Sequence, residues 1–185
     1  MRRAESFRAL LLLAVTLVIA PACVSPPTMS QDALALSNNL DIQRFMGRWY
    51  VIANIPTFIE REAYNAIEDY RWLGDGKVAT TFTYNKGALD GPFKEANPTG
   101  FVNADNNAIW KMQFIWPFKA DYRVMYVDDA HTVTIIGREA RDYVWLMARS
   151  PEIDEALYTQ LVDMIAAQGY DISKIRRIPH TTPAN

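Results

Sequence analysis

Hydrophobic and polar positions alternate along most of the chain between residues 47 and 150, in short stretches separated by Gly, Asn and Asp. Turn residues of this kind occupy 74–76, 103–107 and 128–130. A period of two that is broken at about ten-residue intervals predicts short antiparallel strands in a sandwich or barrel. From a first strand that starts at Gly47 to a last strand at 143–149, the pattern predicts eight strands.

The first strand begins with Gly47-Arg48-Trp49. Because a glycine lets the chain turn close beneath a large aromatic side chain, Trp49 is predicted to plug one end of the barrel. Residues 39–46, which precede it, are predicted to form one helical turn with Asn39 or Asp41 as the cap. This turn would close the barrel floor.

After Pro151 the apolar period changes from two to that of a helix, with Ser150 as the predicted cap and Gly169 as the stop. The apolar stripe must dock, and the second apolar face of the first and last strands, around Ile52 and Leu146, is the predicted surface. Residues 172–178 are expected to return as a short edge strand. Residues 180–185 are expected to form a loose tail.

Strand alternation also predicts which side chains point into the barrel. These are Val51, Ala53, Glu68, Tyr70, Phe82, Tyr84, Trp110, Met112, Phe114, Trp116, Tyr122, Tyr126 and Trp145. Glu68 is unusual in this apolar set, and the alternative is an exposed carboxylate on a strand whose register is shifted by one residue. The long connection 56–63 is predicted to form a lid that carries Phe58, Glu60 and Arg61.

The N-terminus has the pattern of an export signal at residues 1–22: Arg2, Arg3 and Arg8 precede an apolar run, 10–20, that is short for a membrane span. Cys23 follows the small residue Ala22 and resembles the acylated cysteine of bacterial lipoproteins. Cleavage by an ordinary signal peptidase after Ala22 is the alternative.

Two details refine this prediction. The residue after Cys23 is not the Asp of the inner-membrane retention signal, which favours the periplasmic side of the outer membrane. Residues 23–37 would be a lipidated polar tether, and 38–179 the barrel with its helix.

Composition and charge narrow the function. The 185 residues are 50% hydrophobic and 12% aromatic, which suits one domain with a sizeable core. Removal of residues 1–22 leaves 19 − 3 = 16 basic and 21 − 1 = 20 acidic residues, a net charge of −4, so nucleic acid is not an expected partner. With a single cysteine, an intramolecular disulfide is excluded.

Catalytic signatures are missing from the sequence. From Asn38 onward it holds two serines and two histidines, with no Gly-x-Ser-x-Gly and no His-Glu-x-x-His. No catalytic residue, metal or cofactor is therefore predicted.

Several motifs resemble those of the lipocalin family, and within it of the bacterial outer-membrane lipoproteins. Gly47-x-Trp49 matches the first family signature, Asp128 the centre of the second, and Arg149 the basic residue that closes the third. Val127 and Asp129 replace the usual Thr and Tyr of the second signature, which puts partner docking through that turn in doubt. Other matches are 55–58, 60–61, 116–118 and 142–145.

The resemblance implies an all-β fold, an eight-stranded antiparallel up-and-down barrel with a C-terminal helix outside it. It also implies that Arg149 packs over the Trp49 indole. The implied function is binding of a fatty acid such as palmitate, or of a lysophospholipid, in the cavity, with Arg61, Lys94 or Lys119 at the rim. The alternative is a structural or partner-binding envelope lipoprotein whose barrel is filled by its own aromatics. Pairing into a homodimer is left open.

Overall fold

A computed structural model describes residues 32–181. The predicted export signal, Cys23 and the first part of the tether lie outside these residues. The elements in chain order are α1 (Ile42–Phe45), β1 (Gly47–Ile55), β2 (Ala63–Gly74), β3 (Lys77–Lys86), β4 (Phe93–Ala96), β5 (Thr99–Val102), β6 (Ile109–Ile115), β7 (Phe118–Val127), β8 (Val133–Gly137), β9 (Val144–Ala148), α2 (Glu155–Ala167), a single 3-10 helical turn (Ile172–Lys174) and β10 (Arg176–Arg177).

The strands form a closed antiparallel barrel, because neighbours in sequence pair with each other and β9 returns to pair with β1. β4 and β5 both pair with β3, so they are two parts of one barrel strand that is interrupted at Asn97 and Pro98. Counted this way the barrel wall has eight strands, and the predicted fold class is confirmed. β4 itself was not predicted.

The barrel has two different ends. The end near the start of β1 carries α1 and the turns 75–76, 103–108 and 128–132, and is called the closed end. The opposite end, called the open end, carries the connections 56–62, 87–92, 116–117 and 138–143. Up-and-down connectivity places these loops on alternate ends.

The C-terminal wall segment, Arg176–His180, completes the barrel between β1 and β2. β1 pairs with β2 only through residues 47–50, and beyond that point Ala53 and Asn54 pair with β10 instead. The Ile178 N–H donates to the Ile52 carbonyl (2.9 Å), and the Nε2 of His180 lies 2.9 Å from the Val51 carbonyl. The prediction of a loose tail is thus wrong for His180. Burial lowers the pKa of its imidazole.

Helix α2 packs on the outer surface of the barrel. Its buried residues Leu161 and Ile165 join a cluster with Ile52, Val144 and Leu146, so the predicted docking surface is confirmed. The cap is Asp154, whose side chain accepts from the Leu157 N–H, and not the predicted Ser150. Asp154 lies directly before the first helical residue, where a cap must stand.

Residues 32–37, predicted as part of the tether, are packed along the barrel instead. Leu34 is buried in the cluster beneath α2, and Arg141 donates to the Asp32 carbonyl (2.6 Å) in the open-end loop 138–143. The chain then runs to the closed end, where Asn39 donates to Asp129 (2.8 Å). The apolar side chain of Leu34 explains the docking, because its burial removes apolar surface from water.

Candidate functional site

The closed end is built around Trp49 and Arg149. Gly47 has a φ of +88°, a conformation that favours glycine, and it brings the chain beneath the indole of Trp49. The Trp49 Nε1–H donates to the Phe45 carbonyl (2.8 Å), and the Arg149 guanidinium carbon lies 3.7 Å from the indole ring centre. The stacking that the resemblance implied is therefore present.

Arg149 also satisfies the free carbonyls at the end of α1. Its guanidinium donates to the carbonyls of Arg44 (2.7 Å), Phe45 (3.1 Å) and Met46 (2.9 Å), and to that of Arg48 (2.6 Å). The last carbonyls of a helix lack partners within it, so a guanidinium is well suited to this position. Arg149 thus joins α1, β1 and β9 at the closed end.

Asp128 organises the turn between β7 and β8. Its carboxylate accepts from the Thr132 N–H (2.6 Å), the Thr132 hydroxyl (2.7 Å) and the Val133 N–H (2.9 Å). Burial raises the pKa of Asp128, but these hydrogen bonds outweigh it and hold the pKa below its usual value. Asp128, the signature residue, therefore stabilises the turn through these three hydrogen bonds.

The half of the barrel interior next to the closed end, called the lower half, is filled with aromatic side chains. Phe45 lies 5.0 Å from Trp49, 5.7 Å from Tyr70 and 5.7 Å from Trp110, and Trp110 stacks on Tyr122 at 5.5 Å between ring centres. The two tyrosine hydroxyls lie 2.5 Å apart. Val51 and Met112 are buried in the same cluster. These residues point inward as predicted, but they pack on one another and form a floor for anything bound above.

Two residues predicted to point inward point outward. Ala53 and Tyr126 belong to the cluster beneath α2. The cause is a register shift in each strand, between Val51 and Ala53 in β1 and between Val124 and Tyr126 in β7. A bulge adds one residue, so every later side chain changes face.

Two more residues predicted as cavity wall lie in solvent at the open end. Phe114 is 53% exposed and Trp116 is 82% exposed. β6 and β7 lose regular register between Met112 and Ile115, and the end of the hairpin carries these side chains beyond the barrel wall. The prediction that they line the cavity is wrong.

Polar groups enter the barrel interior beside and above this aromatic floor. Glu68 lies opposite Trp49 on one side and Phe82 on the other, so its side chain points inward. Its Oε2 atom is buried and has no hydrogen-bond partner. Burial, and then the nearby charge of Glu60, raise the pKa of Glu68 well above its usual value. The carboxyl therefore favours its neutral form at higher pH than an exposed glutamate does.

Glu60 fastens the lid, residues 56–62, to the barrel wall. It accepts from the Thr57 N–H (2.9 Å) and hydroxyl (2.6 Å), and from the Trp145 Nε1–H (2.7 Å). Arg176 of the C-terminal wall segment donates to the Glu60 and Ala63 carbonyls (3.2 and 2.6 Å). The lid is thus held from both sides of the mouth.

A pocket of about 410 Å³ lies at the open end, between the lid and the last residues of β3. It is lined by Phe58, Ile59, Arg61, Glu62, Tyr84 and Lys86. Tyr84 stacks on Phe82, with 5.3 Å between ring centres, and Phe82 belongs to the buried core of the barrel. Phe58, Arg61 and Tyr84 of the predicted set therefore meet at the mouth. Lys119 lies apart, with its Nζ 3.5 Å from the Phe101 ring centre.

Sequence reasoning missed one interior residue and undervalued another. Asn54 was expected outside but lies opposite Trp145 after the bulge, and its buried Oδ1 has no partner. Glu60 was predicted only as part of the lid, and the structure shows that it is buried. The spacing Thr57-x-x-Glu60 is that of a capping box, which predicts a glutamate that reaches back to the Thr57 N–H.

Two general findings hold for residues 32–181. No helix in this range is both long enough and apolar enough to cross a membrane. The same range holds no group of three or more His, Cys, Asp or Glu side chains placed to hold a metal ion.

Comparison with known proteins identifies the family. The model of the lipocalin-like domain matches residues 40–180, and the chain belongs to this family. The family binds small hydrophobic ligands, and its members are generally binding or transport proteins. The resemblance inferred from the signature residues is confirmed.

Among the relatives, the chain is similar to temperature-induced lipocalin-1 of Arabidopsis thaliana, with 30% identity over 154 residues that cover 77% of this chain and 80% of that protein. It is similar to outer membrane lipoprotein Blc of Escherichia coli strain K12, with 27% identity over 164 residues that cover 87% and 89%. The fold is similar to that of insecticyanin from the tobacco hornworm Manduca sexta, with a TM-score of 0.63 and 17% identity over 83% and 87% of the two chains.

Proposed function

We propose that this chain binds a fatty acid or a lysophospholipid, with the acyl tail in the upper barrel and the head group at the mouth. The observation that carries this proposal is the pocket beneath the lid, which joins apolar Phe58 and Tyr84 to charged Arg61 and Lys86. Its volume falls within the range of roughly 300–1,000 Å³ that is typical of ligand pockets. An amphiphile matches such a wall, because its two halves meet the two kinds of side chain.

The charges inside the barrel favour one orientation. Glu60 and Glu68 are acidic groups of the upper interior, so an anionic head group placed there would meet carboxyls instead of cations. Arg61 and Lys86 line the mouth pocket together with Glu62, which pairs with Lys86 (3.7 Å), so Arg61 is the cation that we expect to meet a carboxylate or phosphate there. The tail therefore enters first, and Phe82 and Tyr84 supply its apolar surroundings.

We also propose that Cys23 is acylated and that the protein is anchored to the outer membrane on its periplasmic side. The sequence around Cys23 and the similarity to a relative named outer membrane lipoprotein Blc support this anchor. The relatives include proteins from a plant and a virus, so the anchor belongs to part of the family.

A second candidate function is a structural or partner-binding envelope lipoprotein. It is favoured by the aromatic packing of the lower barrel, in which Trp49, Tyr70 and Trp110 are almost fully buried. If the upper half were closed in the same way, no tail could enter.

The two candidates are separated by titrating delipidated protein with lysophosphatidylcholines of eight to sixteen carbons. Trp145 lies between the interior and the lid, so entry of a tail should change its fluorescence saturably. Burial at about 0.8 kcal/mol per CH₂ predicts affinity that rises with chain length and reaches the micromolar range for long tails. No saturable change for any chain length would favour the filled barrel.

The head-group position is tested by charge reversal at the rim. Arg61→Glu with Lys86→Glu should weaken binding of a fatty-acid anion about tenfold or more, because two cations near a carboxylate are replaced by anions. Arg71→Glu is the matched control, since Arg71 is exposed on β2 and does not line the pocket. Equal effects of the rim and control variants would contradict this orientation. Mass spectrometry of native extracts would identify the bound amphiphile.

A further inference from the structure

Exposed apolar side chains are concentrated at the open end of the barrel. Among residues 32–181, ten large hydrophobic side chains are exposed, and eight of them lie on or next to the open-end loops. These eight, called the mouth ring, are Phe58, Ile59, Leu89, Phe93, Phe114, Ile115, Trp116 and Phe118. An exposed apolar set of this size in one region marks an interaction surface.

The mouth ring is spread around the entrance and is not one groove. Its members lie in or directly beside three connections, 56–62 between β1 and β2, 87–92 between β3 and β4, and 116–117 between β6 and β7. Trp116 and Phe58 protrude furthest, at 82% and 78% exposure. Aromatic side chains at separate loop tips suit the interfacial region of a bilayer, where an apolar ring and a polar edge are both accommodated.

The start of the described chain lies at the same end of the barrel. Arg141, in the open-end loop 138–143, holds the Asp32 carbonyl at 2.6 Å. From Cys23 to Asp32 there are 32 − 23 = 9 residue steps, which span at most about 30 Å when fully extended. An acyl anchor on Cys23 would therefore keep the open end, and with it the mouth ring, within about 30 Å of the membrane.

Charges near the mouth ring are balanced. Lys86 pairs with Glu62 (3.7 Å), and Arg138 pairs with Asp142 (3.3 Å). A bilayer surface recognised through a cluster of cations would need an excess of Lys and Arg. The chemistry here instead fits a zwitterionic phospholipid surface, entered by apolar side chains.

From these observations we propose that the open end docks on a phospholipid bilayer, with Trp116 and Phe118 inserted between the head groups. The ligand pocket, which shares Phe58 and Ile59 with the mouth ring, then opens toward the lipid. The docking surface rests on the proposed function in two respects: the route that it gives the ligand, and the acyl anchor on Cys23 that would keep the open end near the membrane. Insertion itself follows from the exposed side chains of the mouth ring.

The test uses a chain of residues 23–185 with Cys23→Ser, which lacks an acyl chain but keeps every described contact. Its partition onto phosphatidylcholine vesicles is measured by cosedimentation. Trp116→Ser should lower the partition coefficient about tenfold or more, since a Trp side chain contributes a large apolar area to insertion. The matched control is Leu73→Ser, because Leu73 is 48% exposed at the closed end. It should change partitioning less than about twofold.

A second variant tests the depth of Trp116 without loss of apolar bulk. Trp116→Phe should still bind vesicles within about threefold of the parent, but phosphatidylcholine brominated near the head group should quench its fluorescence much less. Quenching that is unchanged by Trp116→Phe would show that another tryptophan contacts the lipid and would overturn the proposed orientation.

Two further outcomes would overturn the proposal. Equal vesicle binding of Trp116→Ser and Leu73→Ser would do so. The second outcome combines two results: the parent fails to bind vesicles, and sedimentation velocity shows a dimer that Trp116→Ser dissociates. The mouth ring would then be an interface between two copies of the chain. Failure of vesicle binding with an intact lysophosphatidylcholine titration would leave the ligand proposal standing, so the two failures are distinguishable.

Discussion

Substitution of Arg149 gives the sharpest test of how the closed end is held together. Its guanidinium stacks on Trp49 and donates to four carbonyls in residues 44–48. A cation–π contact of this kind contributes roughly 0.5–2 kcal/mol. Hydrogen bonds from a charged donor add roughly 1.5–3 kcal/mol each at best, less for a group that is partly in water. Arg149→Ala is therefore expected to lower the free energy of unfolding by about 3–4 kcal/mol.

Arg149→Lys separates charge from shape. An ammonium keeps the positive charge and reaches one or two of the carbonyls, but it has no planar face to stack and no fork. We expect a loss of about 1.5–2.5 kcal/mol. The matched control is Arg48→Lys, because Arg48 is exposed and makes only a 3.9 Å ion pair with Asp69. Its substitution should cost less than about 0.5 kcal/mol.

The assay is equilibrium unfolding in urea, followed by tryptophan fluorescence. The midpoint should fall while the slope stays constant, because the surface exposed on unfolding is unchanged. If Arg149→Lys unfolds within about 0.5 kcal/mol of the parent, or if Arg48→Lys costs as much, the guanidinium does not act as described.

Three other substitutions test separate parts of the molecule. Glu68→Gln should raise the free energy of unfolding by roughly 1–3 kcal/mol at pH 8 and have little effect near pH 4. The sign follows from the raised pKa of Glu68: the parent has its full stability below the pKa of the unfolded state and loses stability as the pH rises toward the pKa of the folded state. A stability difference between Glu68→Gln and the parent that is the same at pH 4 and pH 8 would refute this reasoning. Leu161→Ala should lower the free energy of unfolding by about 2.7–5 kcal/mol, because it opens a cavity beneath α2. In thermal unfolding, a loss below about 1 kcal/mol would show that the helix does not pack on the barrel. Cys23→Ala should move the protein from the membrane fraction to the soluble fraction, and an unchanged fractionation would exclude the acyl anchor.

The strand pattern and the signature residues were legible in the sequence for definite reasons. Turn residues occur where the chain reverses, as at 74–76, and the period of two reports which segments are strands. Gly47 and Trp49 were predictable because a left-handed glycine beneath a buried indole depends on particular residue types, whereas the stacking of Arg149 on Trp49 was implied by the resemblance to the lipocalin family. A change from period two to helical spacing located α2.

The orientation of side chains beyond a bulge could not be predicted in the same way. Ile52 and Met125 lie at the two register shifts, and both are flanked by apolar residues on each side. Because both faces of β1 and β7 are covered and carry mainly apolar residues, the sequence pattern does not distinguish the register with a bulge from the register without one. Ala53 and Tyr126 were therefore assigned to the wrong face.

Whether an interior aromatic packs or lines a cavity is also not encoded in residue type. Trp110 and Trp145 are both inward tryptophans, yet Trp110 is fully buried against Phe45 and Tyr122 while Trp145 reaches the lid. The difference comes from strand position, since Trp110 lies near the closed end and Trp145 near the open end. β4 was missed for a related reason, because Phe93-Lys94-Glu95 is exposed and has no apolar alternation.

The C-terminal wall segment has a consequence for the order in which the protein can form. His180 contacts Val51 across 129 positions of sequence, and Arg177 pairs with Ala53. During synthesis or export from the N-terminus, residues 47–75 emerge first and must wait for residues 176–180 before the gap between β1 and β2 is filled. Contacts so distant in sequence form late and slowly. Until these last residues are synthesised, the Val51 and Ile52 carbonyls lack the partners that His180 and Ile178 supply in the folded protein.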